Sequence, residues 1–360
     1  MKSWLWLASF AAILVGAAAA GHAAEGGNKP AASWWLVRPT QIEPKILGWK
    51  AKYPRLVSLD ALKTFKGHTA YAVTVTDRTV GEAGKRRLLF SQPHAHEPAA
   101  TAGMMDFLAR LLDRKHLDGR PTELACDELL RHAVLTFIPI GNPDGRARAP
   151  EDWWDGTKYS NDEFLKYAFG CEADGRRPPR VARFDVSQHR PSRIGIAYER
   201  INEREYVEPN RDSESTYFKL VHRALAKPGC ALVLDLHQTE FGGKSKQNAM
   251  VLLPFMQKEL PQPIQATNRC VGEAVIEAWR KVGANPVPTP QALKYGEDQL
   301  RYFRRCWSDI YRSTPCLNIE VQINNVRTPP RRQMELIETA IRAGVEAVLG
   351  PQGGEACSSR

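Results

Sequence analysis

The sequence predicts an α/β fold in three layers, with a mixed, mostly parallel twisted sheet covered by helices on both faces. Short apolar runs typical of strands alternate with segments of helical periodicity along the chain. The run at residues 133–140, AVLTFIPI, is apolar at nearly every position, which is typical of a strand buried on both faces. Polar residues directly follow several of these runs, and ligands of open α/β sheets lie at the carboxyl ends of strands. We therefore expect a functional site at one edge of a helix-covered sheet.

The helical and strand periodicities of the apolar residues predict the secondary structure of the first half of the chain. Residues 46–62 are predicted as helix with a break at Tyr53-Pro54, and residues 68–77 (HTAYAVTVTD) alternate as a strand does. After the next strand, Pro98 suits the first turn of a helix whose apolar residues recur three and four positions apart. The other predicted elements of this half are a strand at 87–92, helices at 98–114 and 121–132, and the strand at 133–140.

The second half begins with a long polar segment at residues 146–210, rich in Arg, Pro and Gly. A connection of this length is usually functional or partly disordered. The apolar run CALVLDL at residues 230–236 predicts a buried strand, whereas residues 286–305 show no regular pattern and are predicted to be irregular. The other predicted elements of this half are helices at 213–226, 264–282 and 331–349 and strands at 247–255 and 316–323.

The N-terminus predicts export. Residues 1–23 combine Lys2, an apolar core and a small-residue pair before the expected cleavage point, as in a secretory signal peptide; an uncleaved membrane anchor is the alternative. We expect a flexible lead-in at residues 24–42, one domain at residues 43–350 and a C-terminal tail at residues 351–360. No second long apolar run follows, so the expected location is periplasmic or secreted, with no stable membrane insertion after cleavage.

Composition narrows the range of partners. The net charge of the 360-residue chain is +10, which suits anionic partners such as acidic peptides or a cell-wall polymer. The basic residues are spread out, so we expect no nucleic-acid partner, and we expect a monomer. None of the seven cysteines forms a CxxC pair, which disfavours a cysteine zinc site. An oxidising compartment permits up to three disulfides, and their pairing stays open.

The stretch LLFSQPHAHEP at residues 88–98 carries the first candidate site. A predicted strand ends here, and His94, His96 and Glu97 follow at once. Side chains at His94 and Glu97, three positions apart in a turn, can converge on one metal ion, for which imidazole nitrogen and carboxylate oxygen are suitable ligands. A His94/His96 pair is a second interpretation, and loop histidines without a metal are a third. The stretch alone does not decide among them, because HxxE is a weak motif.

Three later features belong to the same chemistry. His237 follows the strand at residues 230–236 and can supply a third ligand. Asp235 is either a partner of that histidine or an ordinary surface carboxylate. Glu320 lies inside the apolar strand CLNIEVQI, where a carboxylate must be paired, solvated in a pocket or shifted in pKa. Arg211, next to Asn210, offers a planar fork suited to a carboxylate.

Taken in order, these residues resemble the zinc carboxypeptidase family over about residues 43–349. The resemblance implies one Zn²⁺ held by His94, Glu97 and His237, with His96 as a bystander near the pocket. It also implies that Glu320 is the general base for a zinc-activated water. The implied function is that of an exported metallocarboxypeptidase that hydrolyses a C-terminal bond in a peptide or a peptidoglycan stem peptide.

The same resemblance implies a substrate-binding set. Asn210 and Arg211 match the Asn-Arg pair that holds the terminal carboxylate of the substrate, Tyr295 is a candidate for the mobile tyrosine, and Arg146 is one of several candidates for the oxyanion arginine. The interval of 26 residues from Arg211 to His237 is short and resembles the succinylglutamate desuccinylase and aspartoacylase branch. The alternative function is therefore a zinc-dependent deacylase of N-acyl amino acids or small amides; a non-enzymatic binding protein is a third hypothesis.

Overall fold

The computed structural model describes residues 33–242, 245–350 and Cys357. Its helices are α1 (Pro39–Lys52), α2 (Pro98–Asp113), α3 (Cys126–His132), α4 (Pro143–Ala147), α5 (Asn161–Phe169), α6 (Thr216–Leu225), α7 (Gln262–Lys281), α8 (Glu297–Ser313) and α9 (Pro330–Leu349). Its strands are β1 (Val57–Lys63), β2 (Thr69–Val75), β3 (Arg86–Ser91), β4 (Ala133–Ile138), β5 (Gly170–Cys171), β6 (Arg183–Asp185), β7 (Arg193–Ile194), β8 (Glu199–Arg200), β9 (Glu205–Val207), β10 (Cys230–Thr239), β11 (Ala249–Leu253), β12 (Gln291–Ala292) and β13 (Cys316–Gln322).

Eight strands form one mixed sheet in the order β1-β2-β4-β3-β10-β13-β11-β12. Its four central strands, β4, β3, β10 and β13, run parallel to one another. The edge strands β1 and β2 are antiparallel to their neighbours, and β11 is antiparallel to β13. The predicted fold class, a mostly parallel sheet within an α/β fold, is confirmed. Because the central strands share one direction, their carboxyl ends meet at one edge of the sheet.

Side-chain alternation along the central strands divides the apolar core between the two faces of the sheet. On β3, Leu88 and Phe90 pack on one side with α1, α2, α7 and α9, whereas Leu89 packs on the other side with α6 and α8. On β10, Leu234 joins the first core and Val233 the second. Each face therefore has its own helix layer, as the apolar strand sequences predict.

Several predicted boundaries differ in the structure. Residues 57–62, predicted as helix after the break at Tyr53-Pro54, belong to β1, because every residue of that strand pairs with β2. The predicted irregular region at residues 286–305 contains the first half of α8. Apolar residues of that helix recur at helical spacing from Phe303 to Tyr311 and are buried against the sheet.

The termini of the domain also differ from the expected boundaries. The expected signal peptide lies outside the described residues. The ordered domain begins before residue 43, because Trp35 and Val37 are fully buried and the Trp35 indole donates a hydrogen bond to the carbonyl of Asp152. In the expected C-terminal tail, Cys357 forms a disulfide with Cys270 on α7. No helix in the part of the chain that the structure describes combines the length and apolar character needed to cross a bilayer.

The turn GNPDG at residues 141–145 contacts the long 146–210 segment at the edge of the sheet. The Asn142 side chain accepts a hydrogen bond from the Gly145 backbone N–H and donates to the carbonyls of Ile196 and Ala197. A Cβ atom at Gly145 would overlap the Ile196 carbonyl oxygen and come within 2.8 Å of the Ala95 Cβ atom. A side chain is therefore excluded at Gly145, because three backbone segments meet there.

We expect Gly145→Ala to destabilise the domain by about 1–3 kcal/mol, because the added methyl group overpacks a rigid contact. The matched control is Gly48→Ala, in the exposed middle of α1, where a Cβ atom meets nothing within 4 Å and the helix gains about 1 kcal/mol. Urea denaturation of both variants measures the difference. Equal or higher unfolding midpoints for Gly145→Ala would contradict this packing argument.

Candidate metal centre

Strand alternation places Asp235 and His237 of β10 on the face covered by α6 and α8. Asp235 and His237 alternate with leucines that face the other core, so both point toward this side. The neighbouring parallel strand β13 pairs Glu320 with His237 in register, and β3 pairs Ser91 with Asp235. Four polar side chains on three adjacent strands therefore lie on one face of the sheet near its carboxyl edge.

The turn between β3 and α2 completes the centre with His94 and Glu97. The Nδ1 atom of His94 lies 2.9 Å from Glu97 Oε1. The Nδ1 atom of His237 lies 3.0 Å from Glu97 Oε2 and 3.2 Å from His94 Nδ1. All three side chains are buried. Two imidazole nitrogens and both oxygens of one carboxylate therefore converge on one point, and two histidines with one glutamate are a ligand set that suits catalytic zinc.

The far nitrogen of each histidine has a carboxylate partner. His237 Nε2 lies 2.9 Å from Asp235 Oδ2, and Asp235 Oδ1 accepts hydrogen bonds from Ser91 and Tyr217. His94 Nε2 lies 3.3 Å from Glu208 Oε1 and 3.2 Å from Asn210 Oδ1. Such partners fix the ring orientation of metal-binding histidines and increase their basicity.

The electrostatic surroundings stabilise positive charge at this point. Burial raises the pKa of Glu97, but the imidazoles of His94 and His237 together hold it well below its usual range. Burial lowers the pKa of His237, but Asp235 and Glu97 raise it well above its usual range. Negative charge is therefore stable here only with a cation close by, which a divalent metal ion satisfies.

His96 lies at the side of this group. Its Nε2 atom is 3.3 Å from Glu97 Oε1, and its buried Nδ1 atom has no hydrogen-bond partner. Its ring centroid lies 5.0 Å from that of Phe169. The ligand atoms of His94, His96 and Glu97 are close enough to share an ion, but His237 is nearer to Glu97 and also faces His94 directly. The distances therefore favour His237 over His96 as the third ligand.

Glu320 lies beside the centre and has a free oxygen. The side chain is buried, and its Oε2 atom has no hydrogen-bond partner. Burial raises the pKa of Glu320 to about 8, against the effect of His237 and His94. A metal ion held by His94, Glu97 and His237 would add positive charge and lower that pKa. A carboxyl group in this environment can exchange a proton with a nearby water or substrate.

A second group of charges surrounds Glu208, which is fully buried on the far side of His94. Glu208 accepts hydrogen bonds from Arg180 and, at 2.8 Å, from Arg211 Nη1. Arg211 also donates to Gln299 on α8, and its guanidinium carbon lies 5.4 Å from the ring centroid of Tyr295. The structure thus brings Arg211 and Tyr295 together. The side chain of Asn210, expected to contact substrate, contacts His94 instead.

The structure does not bring Arg146 into this group, contrary to its expected substrate-binding role. The Arg146 side chain is buried and donates hydrogen bonds to the carbonyls of Ala95, at 3.1 Å, and Glu151. Burial, with Arg38 nearby, lowers its pKa to about 9. Arg146 therefore supports the backbone between His94 and His96 and is not part of the charged group around Glu208.

Sequence reasoning did not find Glu208 or Arg180. Glu208 precedes the Asn-Arg pair by two residues, and a carboxylate so close to candidate binding residues was the only local signal. Arg180 stands in a segment with many arginines, and its contact with Glu208 depends on how that segment folds. No spacing rule distinguishes it from its neighbours.

Comparison with known proteins decides the family. A family model described as zinc carboxypeptidase matches residues 45–240, more than half of the chain. The chain belongs to the zinc carboxypeptidase family. The match covers His94, Glu97, Arg211 and His237. Membership makes this protein a metallocarboxypeptidase, a hydrolase whose family uses zinc, and confirms the resemblance drawn from the sequence. No curated protein matches the sequence.

Solved structures show the same fold. A metallo-carboxypeptidase from Burkholderia cenocepacia is 17% identical, with a TM-score of 0.50, over 84% of this chain and 67% of that chain. Carboxypeptidase A from Helicoverpa armigera is 14% identical, with a TM-score of 0.52, over 88% of this chain and 75% of that one. At these identities the likeness supports the shared fold and nothing finer.

We expect Asp235→Asn to weaken zinc binding by about 10- to 100-fold, because the partner that orients His237 loses its charge. Competition with a chromogenic chelator measures the zinc dissociation constant. Asp309→Asn, on an exposed side chain of α8, is the control and should bind zinc as the wild type does. Unchanged affinity in Asp235→Asn would show that Asp235 does not support a ligand.

Proposed function

We propose that this chain is an exported zinc carboxypeptidase that removes a C-terminal residue from peptides, with Glu320 as the general base. The observation that carries the proposal is the register of β10 and β13. It sets Glu320 beside His237, with a buried oxygen that lacks a partner next to the convergence of His94, Glu97 and His237.

His94, Glu97 and His237 would hold one zinc ion. When bound, zinc polarises a carbonyl group and increases the acidity of a water molecule. Asp235 and Glu208 keep the two imidazoles oriented through their far nitrogens, so that both Nδ1 atoms face the ion. The chain itself would thus supply three ligands, the number found in catalytic zinc sites.

Glu320 has the position and environment of a proton carrier. Its unpartnered Oε2 atom can accept a proton from the attacking water. Because the carboxyl group is buried, its protonated form is not strongly disfavoured, so the proton can be kept until the amine leaves. Transfer to the leaving nitrogen then returns Glu320 to its starting state.

The charges around Glu208 support an enzyme that recognises a free terminal carboxylate. Arg180 and Arg211 carry two positive charges, and Glu208 offsets one of them. The remaining positive charge matches one substrate carboxylate. We assign the carboxylate to Arg211, which lies beside Tyr295, and the developing oxyanion to Arg180, which bonds the same glutamate that contacts ligand His94.

Arg211 is not free in the structure, because Gln299 accepts a hydrogen bond from it. A neutral amide oxygen at this guanidinium occupies a position that a substrate carboxylate can take over with a stronger, charge-assisted bond. Substrate binding is therefore expected to displace Gln299 from Arg211. Tyr295, half-buried next to the same guanidinium, is placed to contact the incoming residue.

Two observations support export. Residues 1–23 have the composition of a signal peptide, and the Cys270–Cys357 disulfide joins α7 to the C-terminal end of the chain. Disulfides persist in oxidising compartments such as the bacterial periplasm. In such a compartment, peptides and peptidoglycan stem peptides are both substrates with free terminal carboxylates, and the basic charge of the protein suits either.

We expect Glu320→Gln to retain zinc and to lower kcat by about 100- to 10,000-fold, because it removes proton transfer but leaves the ligands in place. Zinc content and peptide hydrolysis are measured on the same preparation. The control is Glu277→Gln, at an exposed side chain of α7. Full activity in Glu320→Gln would overturn the assignment of the base. A wild-type chain that binds no zinc would overturn the proposed function.

We expect Arg211→Lys to lower kcat/KM for peptides with a free C-terminus by about 10- to 100-fold, because Lys cannot reproduce the two-pronged contact with a carboxylate. C-terminally amidated peptides should react slowly with both enzymes. The measurement is the ratio of the two rates, and the control is Arg301→Lys on the exposed side of α8. An unchanged ratio in Arg211→Lys would exclude Arg211 as the carboxylate contact.

The substrate class is tested on the wild-type protein with three sets of compounds: linear peptides, muropeptides and N-acyl amino acids. Mass spectrometry of the products identifies the bond that is cut. Release of one C-terminal residue from the first or second set supports the proposal. Turnover of N-acyl amino acids alone would favour the deacylase alternative.

A further inference from the structure

A second group of buried metal-binding side chains lies away from the catalytic centre. Asp106 is on α2, His116 is in the turn after that helix, and Glu338 is on α9. The three side chains are buried, with exposures of 1%, 8% and 8%. His116 Nδ1 lies 2.6 Å from Asp106 Oδ2, and one ligand atom from each residue lies within 4.8 Å of the others.

One buried oxygen atom of this group has no bonding partner. The buried Oε1 atom of Glu338 has no hydrogen-bond partner, while its other oxygen accepts a bond of 3.3 Å from Arg110. Two buried carboxylates this close repel each other unless a proton or a cation lies between them. Burial, together with Asp106, accordingly raises the pKa of Glu338 well above its usual range. A cation bound by Asp106, His116 and Glu338 would offset the repulsion between the two carboxylates. It would also give the Glu338 Oε1 atom a bonding partner.

A cavity of about 540 Å³ gives access to the group. Its lining includes four arginines, which at first suggest an anion site, but each of them already has a carboxylate partner. The pairs and their distances are Arg110–Glu123 at 2.7 Å, Arg120–Asp118 at 2.9 Å, Arg331–Asp118 at 3.0 Å and Arg342–Glu123 at 3.3 Å. The atom that lacks a partner is the buried Oε1 oxygen of Glu338, and a carboxylate oxygen bonds a cation, so the cavity suits a cation better than an anion.

We propose that Asp106, His116 and Glu338 form a second divalent-metal site, separate from the catalytic centre, that joins α2 to α9. One imidazole and two carboxylates are the donor set of a zinc or manganese ion, because calcium and magnesium prefer oxygen ligands alone. The site is structural in effect. It fixes α2, the helix that begins directly after Glu97, against the helix that closes the domain.

Metal content of the full chain tests the second site. Wild type, Glu338→Gln, Glu335→Gln and His237→Ala are equilibrated with buffered Zn²⁺ and separately with Mn²⁺, and bound metal per chain is measured by mass spectrometry. Glu335→Gln is the matched control, since Glu335 lies on the same helix and lines the same cavity but pairs with Arg332. We expect two ions in wild type and in Glu335→Gln, and one each in Glu338→Gln and His237→Ala.

The outcomes separate this inference from the proposed function. One ion in wild type that is lost in His237→Ala and kept in Glu338→Gln overturns the second site and leaves the catalytic centre in place. One ion that is kept in His237→Ala and lost in Glu338→Gln supports the second site and contradicts the proposed catalytic ligands. If Glu338→Gln does not fold, His237→Ala decides the matter, because a chain without bound metal excludes the second site.

Discussion

Convergence of His94, Glu97 and His237 on one buried point is the constraint on which the rest of the site depends. The two Nδ1 atoms lie 3.2 Å apart and face the same carboxylate, so the group is stable only around a shared cation. Asp235 and Glu208, on the far nitrogens, add negative charge to the surroundings. The fold therefore encloses a buried site that requires positive charge. The carboxylates that surround this site also bond the neighbouring strand and the covering helices.

Hydrogen bonds connect this centre to the neighbouring strand β3 and to the helices α6 and α8, which cover this face of the sheet. Asp235 accepts bonds from Ser91 on β3 and Tyr217 on α6, which joins the neighbouring strand and the covering helix to His237. Glu208 joins His94 to Arg211, and through Gln299 to α8. Ser91, Tyr217, Glu208 and Arg211 are buried, so removal of any one of them leaves a polar group unpaired, which costs about 1–3 kcal/mol in addition to any loss of metal affinity.

Features that depend on side-chain alternation within one strand could be predicted from the sequence. Features that depend on contacts between distant segments could not. Alternation in CALVLDLHQ is enough to put Asp235 and His237 on one face. Residues 57–62 were predicted as helix, and pairing with β2 makes them part of a strand. Arg146 and Arg180 both belong to the arginine-rich 146–210 segment, and only the fold of that segment decides that Arg146 bonds the Ala95 carbonyl while Arg180 meets Glu208.

The residues of the site come from two kinds of structure: strands of the central sheet and the irregular connection before α6. The proposed metal ligands and the proposed general base lie on strands β10 and β13 and in the turn after β3, whose positions are set by the parallel sheet. The two proposed substrate contacts, Arg211 for the terminal carboxylate and Arg180 for the oxyanion, belong to the irregular connection before α6. Glu208 joins the two parts, because one of its oxygens contacts His94 and the other accepts a bond from Arg211. If Arg211 and His94 have the proposed roles, a substrate carboxylate that binds Arg211 would compete with Glu208, which also orients His94, so substrate recognition and metal geometry could not vary independently.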